Sequence, residues 1–144
     1  MVTVQQRKFK ILLVGDNCVD VYQYGTIDRL SPEAPVPIFV PTHKEERDGM
    51  AGNVYKNLLA LGCDVNLVCG HASKKTRLVD ARSRQQITRI DEDTQSIPIV
   101  NVDPDGYDAV VISDYNKGVV SYELIEKLIE SGIPVFVDTK KTDL

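Results

Sequence analysis

The chain has 144 residues, 42% hydrophobic and 26% charged, with a net charge of −4; this is the balance of a globular chain long enough to bury a core. The negative charge argues against a basic field for nucleic acid or an anionic membrane, and no apolar run is long enough to span a bilayer. The opening MVTVQQRKFK lacks a secretory apolar stretch, and Cys18, Cys63 and Cys69 have no C-x-x-C spacing, which together read as a cytoplasmic chain with reduced thiols.

KILLVG, residues 10–15, is a short continuous apolar run ending in glycine, the pattern of a strand buried on both faces. The section that follows carries β-rich patches, YQYGTI and PIFV, among four prolines, Pro32, Pro35, Pro37 and Pro41. Proline cannot donate to a ladder, which predicts strands at an edge or outside the main sheet. AGNVYKNLLALG, 51–62, predicts a helix with Val54, Leu58 and Leu61 on one face and Gly62 as its stop. CDVNLVCG follows as a second buried strand. TRLVDARSRQQITRIDED, 76–93, alternates and predicts one or two exposed antiparallel strands. SIPIVNVDPDG is more β-like than helical. YDAVVISD, 107–114, is a third core strand. SYELIEKLIESG, 121–132, is an amphipathic helix with Ser121 as N-cap, a stripe of Leu124, Ile125, Leu128 and Ile129, and a Glu123–Lys127 pair. IPVFVDT is the fourth core strand. The order predicts a single α/β domain with a mostly parallel, Rossmann-like sheet.

Three core strands leave the sheet into polar segments: GD, SDYNKG and DTKK. Ligands of open parallel sheets sit beyond the carboxyl ends of the strands. Asp16, Asp20, Asp114, Lys117, Asp138 and Lys140 are therefore candidates to converge on a site. The alternative is that acids and lysines merely punctuate loops. His43 and His71 are isolated, which argues against zinc.

GDNCVDVYQYG, RLSPEAPVPIF, ERDGMAGNVYKNLLALG, RSRQQITRID, VVISDYNKGVVS and PVFVDTKKTD, in this order, resemble the ribokinase-like (PfkB) carbohydrate kinases. Within that family the resemblance is nearest to heptose-7-phosphate kinase domains. It implies a ribokinase-like fold with a small β-lid formed by segments of about 21–48 and 76–93. The resemblance places Asp20 on sugar hydroxyls, Gly49 to Gly52 and Asn53 against the sugar, and Asp114 near it. Lys117 lies where a sugar phosphate would sit, with Arg89 and Lys140 as further phosphate candidates, and Asp16 beside the strand end. A carboxylate suits a vicinal diol, and Lys or Arg suits a phosphate. The lid implies a homodimer through paired lids or an exposed sheet face.

The same resemblance exposes departures. The family's C-terminal nucleotide-binding half, with its G-A-G-D loop, N-x-x-E motif, ATP and magnesium sites, has no counterpart in these 144 residues. No G-x-x-x-x-G-K-[ST] or G-x-G-x-x-G takes its place, so no cofactor is expected for these residues alone. Met50 stands for the second glycine of a Gly-Gly turn, Thr139 for a proline and Lys141 for a glycine. Two internal segments, after Gly70 and before YDAVVISD, are shortened, which predicts a bared sheet face. These features imply a degenerate, non-catalytic pseudokinase that binds a sugar or sugar phosphate or a protein partner. The alternatives are a sugar-binding part completed by a second polypeptide, or a truncated active kinase.

Overall fold

The computed structural model describes residues 7–143; the MVTVQQ start of the segment read above for a signal lies outside them. The elements in chain order are β1 (Lys10–Gly15), β2 (Asn17–Leu30), β3 (Pro37–Met50), α1 (Ala51–Ala60), β4 (Asp64–Cys69), β5 (Ser73–Asp80), β6 (Gln86–Glu92), β7 (Ala109–Asp114), α2 (Tyr122–Glu130) and β8 (Val135–Thr139). They divide into two compact units: Val19–Arg47 with Ser73–Thr94, and the remainder of the described chain.

The larger unit holds the four predicted core strands in one parallel sheet, in the order β4-β1-β7-β8. Register places Leu12 beside Val110 and Val14 beside Ile112. These side chains form one apolar face, which α2 covers with Leu124, Ile125 and Leu128, all buried, together with Val119 and Val120. Burying each such aliphatic side chain contributes about 1.5–3 kcal/mol, so this face supplies most of the unit's cohesion. Ser121 caps α2 as expected, its Oγ accepting the Leu124 N–H at 3.2 Å. Gly62 ends α1 with φ of 85°, a conformation that glycine adopts without steric penalty.

One detail differs from the sequence reading and two add to it. Ile129 is 55% exposed and contributes nothing to the α2 stripe, because its position falls outside the arc facing the sheet. Lys127 donates to Asn101 Oδ1 at 2.6 Å, a contact across the unit in addition to any pairing along the helix. Residues 96–106 form no strand. Pro98 and Pro104 remove two ladder donors, and the segment is held by a backbone bond from Ile99 N–H to Val119 O at 2.9 Å.

On β8, Phe136 is 62% and Val137 39% exposed. Register pairs Phe136 with Val111 and Val137 with Ile112, so the two side chains lie on opposite faces at the sheet's edge.

The smaller unit is a second four-stranded sheet, β3-β2-β5-β6, in which β5 and β6 pair antiparallel. β3 carries Pro37 and Pro41 and lies at the edge, where a missing N–H disrupts no interior ladder. Tyr22 lies between Arg47 and Arg77, whose guanidinium carbons stand 5.0 and 5.1 Å from its ring centre. The β5–β6 turn is closed by Asp80, whose carboxylate accepts from Ser83 N–H and Oγ at 2.9 and 2.6 Å.

Candidate functional site at the carboxyl end of the parallel sheet

The chain leaves β1 at Gly15 and meets Asp16, which is 1% exposed. Its backbone bridges two neighbours: Asp16 N–H donates to Ser113 O, and Asp16 O accepts from Ala51 N–H, both at 3.0 Å. Its side chain is equally committed. Oδ2 accepts from Tyr115 N–H at 2.7 Å and Lys117 N–H at 3.1 Å, and Oδ1 from Val119 N–H at 3.4 Å. Asn116 with φ 57° and Gly118 with φ 93° turn alternate N–H groups inward. Such a nest of amides binds anions, and here the anion is the chain's own carboxylate.

Asp114, at the end of β7, is also 1% exposed. Its Oδ2 accepts from Thr139 Oγ1 at 2.6 Å and Lys141 Nζ at 2.5 Å, and its Oδ1 from Asn116 N–H at 2.8 Å. Burial pushes this carboxyl up, but the Lys141 ammonium, the Thr139 hydroxyl and the Asn116 amide outweigh it and hold it below the usual carboxylate value. Asp114 pairs in register with Thr139, and two residues further along Lys141 donates also to Val120 O at 2.8 Å.

The other candidates in this unit lie around these acids. Gly49 is buried at the approach to α1, and Asn53 is exposed in the first turn. Lys117 rides on the loop that wraps Asp16. Lys140 is exposed, with its ammonium 4.8 Å from the Tyr115 ring centre and its N–H bonded to Asp114 O at 3.0 Å. Asp138 is exposed on β8. Asp20 and Arg89 belong to the second unit. Asp20 is ion-paired with Arg77 at 2.6 Å, and Arg89 lies opposite Arg77 in register and is held by Asp91 at 2.7 and 2.8 Å.

Met50 precedes α1 with φ 51° and ψ −130°, a backbone region left almost entirely to glycine. It is 7% exposed. The helix start has no side-chain cap and no acid in its first turn. Gly52 is required by close approach: a Cβ there would meet Asp48 Cβ at 2.8 Å and Asn17 Oδ1 at 2.9 Å.

Sequence reasoning missed four residues. Thr139 and Lys141 were visible only as departures, with nothing to show that both reach Asp114. Asn17 Oδ1 and Ser113 Oγ are buried without a hydrogen-bond partner among the described residues. They flank Asp16 and Asp114 in sequence. An N beside the first strand's acid and an S before the third strand's acid were the available signals.

A cleft of about 490 Å³ lies at the opposite end of the sheet, lined by Lys10, Asp64, Asn66 and Tyr107 among others. Asn66 and Tyr107 already bond to each other at 2.8 Å, and no site candidate lies there. Among the described residues no three His, Cys, Asp or Glu side chains gather as a metal-ion ligand set, and no helix is long and apolar enough to cross a membrane.

A parallel sheet whose strands end in polar loops, joined in sequence to a second small sheet, gives the chain the fold of the ribokinase-like carbohydrate kinases. The ribokinase of Arabidopsis thaliana, solved with ribose and ATP, superimposes with a TM-score of 0.51 at 11% identity, over 96% of this chain and 55% of that one. In sequence the chain is homologous to part of the bifunctional protein HldE: 32% identical to that of Geotalea uraniireducens over 182 residues, 95% of this chain and 36% of that protein. For the HldE of a Nitratiruptor species the identity is 38% over 173 residues, 92% of this chain and 37% of that protein. No protein-family model matches. The chain thus spans little more than a third of the curated relatives it matches. The first alignment has 182 positions against 144 residues here, so the relatives carry internal segments that this chain lacks.

Proposed function

We propose that these residues form the sugar side of a ribokinase-like carbohydrate kinase fold and bind a sugar or sugar phosphate, related to a heptose phosphate, without transferring phosphate by themselves. The observation that carries this reading is the pair of unpartnered buried atoms, Asn17 Oδ1 and Ser113 Oγ, at the carboxyl ends of β1 and β7. A buried polar atom without a partner costs about 1–3 kcal/mol, and a hydroxyl-bearing ligand would relieve both. Asn53, Lys117 and Lys140 border the same end of the sheet and suit a hydroxyl and a phosphate.

The non-catalytic part rests on the acids. Asp16 and Asp114 are engaged by internal donors, which argues against either acting as a base. Titration calorimetry with sedoheptulose 7-phosphate, run beside an ADP-release assay with ATP and magnesium, tests the reading. Saturable heat with no ADP release is expected. ADP release by this chain alone refutes the non-catalytic reading, and no heat at millimolar ligand refutes the binding.

A second reading has its own support. The bare edge of β8, with Phe136 and Val137 exposed on opposite faces, is suited to accept a further parallel strand from a second polypeptide that completes a kinase. Phosphotransfer that appears only when a C-terminal kinase fragment is co-expressed would favour it.

A further inference from the structure

Thr139 and Lys141 are two of the positions at which this chain departs from the pattern of the kinases it resembles, and both end on one atom. Thr139 Oγ1 lies 2.6 Å and Lys141 Nζ 2.5 Å from Asp114 Oδ2. The Lys141 side chain is 5% exposed and that of Asp114 fully buried. Nζ also donates to Val120 O at 2.8 Å, and the Tyr122 ring centre lies 5.5 Å from it. The ammonium is therefore enclosed by a carboxylate, a carbonyl and an aromatic face, the surroundings of a bound cation. A proline at 139 has no hydroxyl and a glycine at 141 has no ammonium, so neither bond to Asp114 Oδ2 would exist with those residues. Asp114 would then be a buried carboxylate with only the Asn116 amide, and it would have to recruit a cation or a hydroxyl from outside.

We propose that Thr139 and Lys141 act together as a built-in ligand of Asp114, an internal clasp that joins the end of β7, the start of α2 and the segment after β8. The clasp withdraws Asp114 from ligand binding. It also fixes the loop carrying Lys117, because Asn116 N–H is bonded to the other Asp114 oxygen. Asp114 and its partners are positioning residues in this arrangement. Register sets Asp114 and Ser113 on opposite faces of β7, so the clasp is separate from the unpartnered Ser113 Oγ.

The test uses the whole 144-residue chain. Lys141→Ala removes the ammonium and leaves room for a small amine. Amide exchange of residues 115–120 is expected to quicken by about ten-fold or more in Lys141→Ala, and ethylamine at tens of millimolar is expected to restore most of the protection while tetramethylammonium restores none. Thr139→Val, a milder change that keeps the shape, is expected to give a smaller loosening, which Thr139→Ser does not show. It keeps the test decisive if Lys141→Ala fails to fold. Unchanged exchange in both Lys141→Ala and Thr139→Val overturns the clasp, as does a loosened Lys141→Ala loop that ethylamine does not tighten. A wild-type sedoheptulose 7-phosphate affinity that falls ten-fold in Asp114→Asn also overturns it, because Asp114 would then be a ligand group. If no form of the protein binds that sugar phosphate, the exchange and amine-rescue results still decide the clasp, and only the sugar-binding function fails.

Discussion

Replacing Asp16 by alanine should be among the most damaging single changes in the larger unit. Its carboxylate holds three amides, those of Tyr115 and Lys117 at 2.7 and 3.1 Å and that of Val119 at 3.4 Å. The last bond is long and contributes little. Each of the other two N–H groups, once orphaned, costs about 1–3 kcal/mol. Tyr115 and Lys117 are only half-buried, so water relieves part of the penalty, and a loss of about 3–4 kcal/mol is expected. That is a large share of a total stability of roughly 5–15 kcal/mol. With a urea slope of about 2 kcal/mol/M the unfolding midpoint should fall by roughly 1.5–2 M. Asp16→Asn keeps one acceptor but turns an NH₂ toward Val119 N–H, and its midpoint should fall between the two. Urea titration followed by circular dichroism gives the midpoints, and exchange of the Tyr115 and Lys117 amides locates the damage. An alanine variant within about 0.3 M of wild type, or one that retains protection at Tyr115, would refute the view of Asp16 as the loop's anchor.

Asp114 should leave an acid signature. Its carboxyl lies below the ordinary value of 3.8 in the folded state, so it contributes stability that is complete above that value and is lost as the pH falls through its folded value. Urea midpoints measured from pH 5 to pH 2 should drop more steeply for wild type than for Asp114→Asn, and parallel curves would contradict the assignment. Gly25→Ala should cost about 1–3 kcal/mol, because the new Cβ would lie 2.5 Å from the Val40 carbonyl oxygen as well as against the Phe39 ring; an unchanged thermal midpoint would show that the second sheet yields there. Met50→Gly should be nearly neutral, since relief of about 1–3 kcal/mol of backbone strain offsets the lost burial of about 1.5–3 kcal/mol. Met50→Ala keeps the strain and loses most of the burial, so an alanine variant more stable than the glycine one would defeat the strain argument. The exposed Phe136, Val137 and Ile129 motivate a homodimer; sedimentation should show self-association at micromolar concentration that Phe136→Asp abolishes, and a wild-type monomer at all concentrations would exclude it.

The parallel sheet was legible in the sequence as four short apolar runs, and all four became its strands β1, β4, β7 and β8; only the central β1 and β7 are buried on both faces, while β4 and β8, at the edges, are half-buried or exposed. Helix α2 was legible from its period and its serine cap. The prolines of 37 and 41 announced an edge strand for a physical reason that holds in any context. Ile129 was misread because a helical stripe of four says nothing of how wide a face the sheet can cover. The 96–106 segment forms no helix, in keeping with its β-branched residues, and its prolines keep it from pairing as a strand. Partnerships at the sheet's carboxyl end were hidden for a different reason. That Asp16 faces amides about a hundred positions away, and Asp114 an ammonium 27 positions away, depends on which loops the sheet order brings together. Sequence position marked both acids as candidates for a site without telling a ligand group from a structural one.

Backbone demands and side-chain chemistry have separated at this end of the sheet. The chain still enters α1 through the conformation that suits glycine, although the residue is Met50, and Gly52 still admits the close approach of Asp48 and Asn17. Those features follow from packing a helix start against the ends of parallel strands, and they persist wherever that packing persists. The side chains obey a different constraint. A buried carboxylate needs donors, and those of Asp16 and Asp114 are both supplied from within, by a loop in one case and by Thr139 with Lys141 in the other. An acid supplied from within needs no ligand to complete it, whereas Asn17 Oδ1 and Ser113 Oγ have no partner among the described residues. In the proposed sugar-binding reading, Asn17 Oδ1 and Ser113 Oγ, rather than the acids that first draw attention, are where the parallel sheet would meet a ligand.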